Sequence, residues 1–218
     1  VIVAGGAGFY LRAFLFGPPS GPPSVPSLRS KLEEEIESLG NAQLYERLYQ
    51  LDPDYAKTIT INDKQKIVRG LEIISLTHEK VSTLSWQNRL EPQDYDFHCW
   101  FLYRPRDILY QRIEKRCEAM LEEGLIEEVR GLIELGLENN PTASQAIGYK
   151  HVLDYLKTPQ QKSDYEHLVH KFKVASRRYA KRQFTWFRKQ PFFRWLNVEE
   201  FSLEQACDMI IQEFESRE

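Results

Sequence analysis

At 218 residues, 42% of them hydrophobic, the chain can bury a core and form one or two domains. Its formal net charge of −3 is near balance, so any basic surface is local and offset by acidic stretches such as Glu33 to Glu37. The three scattered cysteines (Cys99, Cys117, Cys207) exclude a disulfide framework and match no metal spacing, and no apolar run or signal-peptide pattern marks a membrane or secreted chain; a soluble, cytoplasmic protein is expected.

The opening VIVAGG reads as a buried parallel strand, Val1 to Ala4, running into a glycine turn at Gly5, Gly6 and Gly8. A core strand with nothing before it implies that this sequence is the later part of a longer chain. The turn opens a helix over Phe9 to Phe16. It is neither the dinucleotide fingerprint nor the Walker A pattern, and taken alone it reads as a tight strand-to-helix turn. GPPSGPPSVPS follows, with five prolines between Pro18 and Pro26, and marks a domain edge.

Four helices are expected next. Ser27 is placed as the N-cap of the first, which carries Leu28, Leu32, Ile36 and Leu39 at helical spacing and stops at Gly40. The second runs from Ala42 to Leu51. Asp52-Pro53 starts a short third, and Asn62-Asp63 starts a fourth with Ile67, Leu71 and Ile74 inside. Gln65, Lys66 and Arg69 fall on the exposed side of that fourth helix, either as a plain solvated face or as a surface for phosphates.

Gln93 to Tyr103 reads as a strand, and Asp107 to Glu122 as a helix broken at Gly124 and resumed over Ile126 to Leu135. Arg112 and Arg116 lie one turn apart, and Arg130 follows Glu127 and Glu128. The planar fork of arginine suits pyrophosphate, although ion pairing with the adjacent acids is the alternative. After Pro141, AIGYKHVLDYL forms a further helix. A strand over Phe192 to Val198 and a helix from Leu203 close the chain. The two strands flanking the four-helix segment imply a split α/β core with a helical insertion. The five histidines are scattered, and no Ser–His–Asp or Cys–His arrangement stands out.

The most informative segment lies between His167 and Trp195, which holds nine Lys and Arg residues and no Asp or Glu. Ordinary solvated helix faces mix Lys with Glu, because pairs four apart support the helix. Here the cations alternate with Phe172, Tyr179, Phe184, Trp186 and Phe187. At helical periodicity Leu168, Phe172, Ala175, Tyr179 and Trp186 share one stripe, and Lys173, Arg177, Lys181 and Arg188 another. Positive charge interleaved with flat rings suits RNA or DNA.

Taken in order, GGAGFY, DPDYAKTITINDKQKIVRGLEI, GLIEEVRGLIELG, AIGYK and YAKRQFTWFR resemble the tRNA dimethylallyltransferases, also called tRNA isopentenyltransferases, over nearly the whole chain. The resemblance implies an α/β fold related to P-loop NTPases, its parallel-sheet core incomplete here, in a mostly helical chain. Residues 1–23 and 94–218 would belong to the catalytic core, and 24–93 to a helical tRNA-binding insertion domain. The implied activity is transfer of a dimethylallyl group from dimethylallyl diphosphate to the exocyclic amine of the adenosine 3′ of the anticodon. Mg²⁺ would be held mainly by the diphosphate, and the protein would act as a monomer on the tRNA anticodon stem-loop.

Matched position by position, Gly5, Gly6, Ala7 and Gly8 would border the channel where base meets prenyl donor. Arg130, and less closely Arg116, would be the catalytic arginines near the diphosphate. Arg29, the stretch Gln65, Lys66, Ile67, Val68 and Arg69, and the stretch Gln145, Ala146, Ile147, Gly148, Tyr149 and Lys150 would contact tRNA. So would Lys181, Arg182, Gln183, Phe184, Thr185, Trp186, Phe187 and Arg188. Two departures stand out. Ala7 occupies a place where many members have Thr, and neither the family's phosphate-binding loop nor its basic aspartate occurs in these residues. The chain alone is therefore expected to bind tRNA weakly without catalysing. A non-catalytic RNA-binding module is the alternative.

Overall fold

The structure, a computed structural model, describes residues 1–17, 21–84 and 96–216. Its contacts form two units, Val1–Tyr95 and Asp96–Glu218. Pro18, Pro19 and Ser20 of the proline linker, the expected end of the insertion near residue 93, and the Gln93 to Tyr95 start of the expected second strand lie outside the described residues.

In the first unit, residues 1–7 form no strand, contrary to the hydrophobic pattern of Val1 to Ala4. A strand exists only by pairing its N–H and C=O groups with a neighbour. No such neighbour occurs among the described residues of this unit, and Val1, Ile2 and Val3 are exposed. α1 (Gly8–Phe16) follows, burying Leu15.

α2 (Pro26–Leu39) starts with Pro26 in its first turn, where a missing N–H costs nothing. Ser27 therefore sits inside the helix and does not cap it. α3 (Asn41–Leu51), α4 (Pro53–Ala56) and α5 (Lys64–Thr77) complete the bundle. Leu32 and Ile36 of α2, Leu44 and Leu48 of α3, and Ile67, Val68 and Leu71 of α5 meet in one core with Tyr55, Ile59 and Val81. Each such aliphatic side chain contributes about 1.5–3 kcal/mol on burial.

Two buried carboxylates tie the bundle together. Asp52 caps α4 by accepting the Tyr55 N–H at 3.1 Å, and accepts the Ser82 hydroxyl at 2.7 Å and the Ser82 N–H at 2.8 Å. Burial alone would raise its pKa, but the bonds from Ser82 and Tyr55 bring it below the ordinary aspartate value. Glu72 plays the matching role between α5 and the entry to α2.

In the second unit, β1 (Trp100–Tyr103) pairs in parallel with β2 (Arg194–Asn197), Phe101 opposite Trp195 and Leu102 opposite Leu196. Both strands are shorter than their apolar runs: the register pairs four residues of each, flanked by bonds from the Arg194 N–H to the Cys99 carbonyl and from the Val198 N–H to the Tyr103 carbonyl, each 2.9 Å. Between them in the chain come α6 (Arg106–Glu122), α7 (Leu125–Glu134), α8 (Tyr149–Leu156) and α9 (Lys162–Phe187), and α10 (Leu203–Glu215) follows. Cys117, Leu121, Leu125, Val129, Val152, Leu153, Leu168 and Phe172 form the core of α6 to α9. Among the described residues, then, the chain is mostly helical with one small parallel sheet.

Candidate nucleic-acid interface

α9 runs for 26 residues, and a capping box between Gln161 and Asp164 starts it. Leu168 and Phe172 enter the helical core, while Ala180 and Phe187 are buried further along. The Phe187 ring stacks on Phe101 of β1 at 4.2 Å, and Phe184 meets the same ring edge-on at 5.2 Å. The expected apolar stripe therefore holds for its first two members only. Tyr179 is exposed and Trp186 half-buried, steadied by Phe187 at 4.8 Å and Phe193 at 6.3 Å. The cover over α9 passes from helices to sheet, so the buried face rotates along it.

The cations also divide differently from their expected stripe. Lys173 donates to Glu118 at 2.5 Å, Arg177 pairs with Glu114, and Arg194 with Glu213. Arg178, Lys181, Arg182 and Lys189 instead line one open hollow with Thr185 and Trp186. Their spacing of three and four puts Arg178, Lys181, Arg182, Thr185 and Trp186 on one face of α9, and Lys189 joins them from the turn just past its end. Among the described residues none of those four cations has an acidic partner; Arg182 lies over the Tyr179 ring at 5.4 Å. Like charges this close repel and favour a polyanion as counter-charge. Arg178 and Lys189 lie outside the matched motif, yet the same helical spacing from Lys181 and Arg182 marks them. Of the remaining motif residues, Gln183 and Phe184 are half-buried, Phe187 is core, and Arg188 is exposed.

The Gln145 to Lys150 stretch leads into α8. Lys150 Nζ donates to Gln145 Oε1 at 2.9 Å, and the Tyr149 hydroxyl donates to Glu128 of α7 at 2.5 Å. That bond to a carboxylate raises the Tyr149 pKa. Ala146 is exposed and Ile147 half-buried. Gly148 is buried at φ +102°, a conformation that glycine tolerates best, and a Cβ there would press on Phe172 at 3.4 Å.

Arg130 of α7 bonds to Glu127 at 3.1 Å and to Gln160 at 2.8 Å, and its side chain remains 47% exposed. Arg116 is exposed on α6.

In the first unit, Gly5, Gly6 and Ala7 precede α1 and Gly8 begins it. Arg29 bonds to Glu33 at 3.0 Å. Gln65 and Lys66 are exposed, with Lys66 3.6 Å from Asp63. Ile67 and Val68 are 0% and 1% exposed, so their side chains belong to the core. Arg69 is committed to Glu72 at 2.6 Å and the Pro22 carbonyl at 2.6 Å. No three His, Cys, Asp or Glu side chains among the described residues converge to hold a cation. No helix among them is long and apolar enough to cross a membrane.

Comparison with known proteins agrees with the sequence resemblance. The IPP transferase family profile matches residues 1–190. The tRNA dimethylallyltransferase of Protochlamydia amoebophila (strain UWE25) is 62% identical over 214 residues, covering 98% of this chain and 62% of that protein. Its counterpart in Chlamydia felis is 44% identical over 214 residues, covering 98% and 63%. The chain thus spans less than two thirds of the length of these relatives. Among solved structures, the Staphylococcus epidermidis tRNA delta(2)-isopentenylpyrophosphate transferase superposes with a TM-score of 0.58 at 32% identity, over 97% of this chain and 67% of that one. A eukaryotic dimethylallyltransferase acting on tRNA superposes at 0.72 and 27% identity, over 97% and 56%.

Proposed function

This chain belongs to the IPP transferase family, and from that premise we propose that it forms the tRNA-gripping part of a tRNA dimethylallyltransferase. The reaction moves a dimethylallyl group from dimethylallyl diphosphate to the exocyclic amine of the adenosine 3′ of the anticodon. A carbon–oxygen bond breaks, a carbon–nitrogen bond forms, the amine loses a proton and pyrophosphate departs. The target base must leave its stack to react, so the enzyme needs a hold on the flanking strand.

The observation that carries this reading is the outward face of α9, with Arg178, Lys181, Arg182 and Lys189 around Trp186. Cations positioned there neutralise phosphates, and the half-buried Trp186 indole, packed against Phe187 and Phe193, offers a ring on which an unpaired base can stack. Gln145 to Lys150 and the exposed Gln65 and Lys66 serve as further tRNA contacts, with Arg29 beside them in role. Arg130 turns from Glu127 and Gln160 to the departing pyrophosphate, where a two-pronged donor stabilises developing charge, and Arg116 assists. Gly5, Gly6, Ala7 and Gly8 border the prenyl channel. A P-loop-like core comprising residues 1–23 and 94–218, a 24–93 insertion, a monomeric state and a cytoplasmic site of action belong to the same proposal. When Mg²⁺ accompanies the diphosphate it supplies charge neutralisation. The described residues offer no cage for it, and no step is assigned to it.

Footprinting of a tRNA on the intact protein tests the reading, combined with labelled dimethylallyl incorporation. Protection of the anticodon loop with label entering the adjacent adenosine is expected. An unprotected loop at low salt would overturn it.

A further inference from the structure

Two cations on the flank of α9 are cancelled by acids that come from far away in the chain. Lys173 donates to Glu118, 55 residues earlier, and Arg177 to Glu114, 63 residues earlier. The pairs lie one turn apart on antiparallel helices. Lys173 and Arg177 are 20% and 32% exposed, Glu118 and Glu114 49% and 33%, so the pairs sit at the surface beside the open face. Ion pairs this exposed add little to stability. The packing of Cys117 and Leu121 against Leu168 and Phe172 already joins the helices. What the acids do without exception is erase two positive charges along one edge. Past Arg177, α6 presents Tyr110, with the guanidinium groups of Arg106 and Arg177 over its ring at 5.0 and 5.9 Å, and Asp107 in the first turn of α6 pairs with no cation of α9 among the described residues. From that point the outward cations carry no acidic partner among the described residues.

We infer that Glu114 and Glu118 determine RNA specificity, by neutralising Lys173 and Arg177 so that a ribose-phosphate strand engages α9 along its outward face, from Lys171 through Arg178 towards Lys189, and not across the flank. The inference rests on the RNA-binding reading of that face. With Lys173 and Arg177 also available a strand could lie along the face or across the flank, and several registers would compete. With two of them neutralised, the charge forms one narrow track beside Trp186. Glu114 and Glu118 are thus positioning residues that touch no RNA themselves.

The test compares the full chain with its Glu114→Gln/Glu118→Gln variant, binding an anticodon stem-loop and an unrelated hairpin of equal length over a salt series. The variant is expected to show a slope of log K against log salt steeper by about 1.4, from two added cations at about 0.7 each, and a several-fold loss of preference for the stem-loop. Adding Lys173→Met and Arg177→Met to that variant should restore both. An unchanged slope and preference in a variant with wild-type circular dichroism would overturn the inference. Should the glutamine variant misfold, Lys173→Gln/Arg177→Gln replaces it: the wild-type slope is expected, and a flatter one overturns the idea. Heparin retention separates the two layers. The glutamine variant should elute at higher salt than wild type even if tRNA proves not to be the ligand, and equal elution would sink the charge confinement itself.

Discussion

Arg69 Nη1 lies 2.6 Å from the carboxylate of Glu72, one turn further along α5, and Glu72 has no solvent exposure. The same carboxylate accepts the Ser24 hydroxyl at 2.6 Å and the Val25 N–H at 2.9 Å, while Arg69 Nη2 donates to the Pro22 carbonyl at 2.6 Å. These bonds fasten the chain entering α2 onto α5. Replacing Glu72 by Ala leaves the guanidinium, a hydroxyl and an N–H without their acceptor. A loss of about 3–5 kcal/mol is expected, read by urea denaturation. Stability within 1 kcal/mol of wild type, about the worth of one ordinary hydrogen bond, would show the latch to be dispensable.

Acid should loosen the same bundle. Burial alone would raise the Glu72 pKa, but the bonds from Ser24, Arg69 and Val25 hold it below the ordinary glutamate value, and Asp52 is lowered likewise by Ser82 and Tyr55. A carboxylate lowered on folding contributes stability that is complete above its unfolded pKa and disappears as pH falls through the folded one. The protection factors of α5 amides, with the base-catalysed intrinsic exchange rate divided out, should therefore be flat above about pH 5 and fall below it. Glu72→Gln should remove part of that pH dependence.

Gly70 lets α5 pack tightly on Tyr55 of α4 and Leu48 of α3. A Cβ there would stand 2.8 Å from Tyr55 Cε1 and 3.1 Å from Leu48 Cδ1, both on buried side chains. Gly70→Ala gains helix propensity of about 1 kcal/mol. Overpacking costs about 1–3 kcal/mol and should prevail, lowering the thermal midpoint. A rise in the midpoint would mean that the Tyr55 ring and the Leu48 side chain yield freely.

On α9, Lys181→Ala/Arg182→Ala should flatten the salt dependence of tRNA binding by about 1.4 in slope. Trp186→Ala should cost about 1–3 kcal/mol with little change in slope, because stacking is not ionic. Binding unaltered by either change would remove this face from the interface.

Arg130→Ala should slow dimethylallyl transfer by about 100-fold in the intact enzyme and leave tRNA affinity unchanged. A normal rate would leave Arg130 as the surface partner of Glu127 and Gln160 that its contacts describe.

The helices were legible from periodicity because a 3.6-residue repeat is a local property. The spacing of Leu32 and Ile36, of Leu44 and Leu48, and of Ile67 and Leu71 locates α2, α3 and α5 and their buried faces. The acid-free run after His167 was equally plain, as were the ordered motifs that place the chain in its family. Folding decided what each of those residues was free to do. Val1 to Ala4 has strand composition, but pairing requires a second strand. Arg69 reads as a phosphate ligand until Glu72 and Pro22 claim it, and helical spacing puts Lys173 and Arg177 on one basic stripe with Lys181 and Arg188, from which folding withdraws them into ion pairs. Apart from Glu72, three residues from Arg69, those partners lie 47 to 63 residues away in the chain. Charge and hydrogen-bond satisfaction depend on who arrives from such distances, and only packing brings them there.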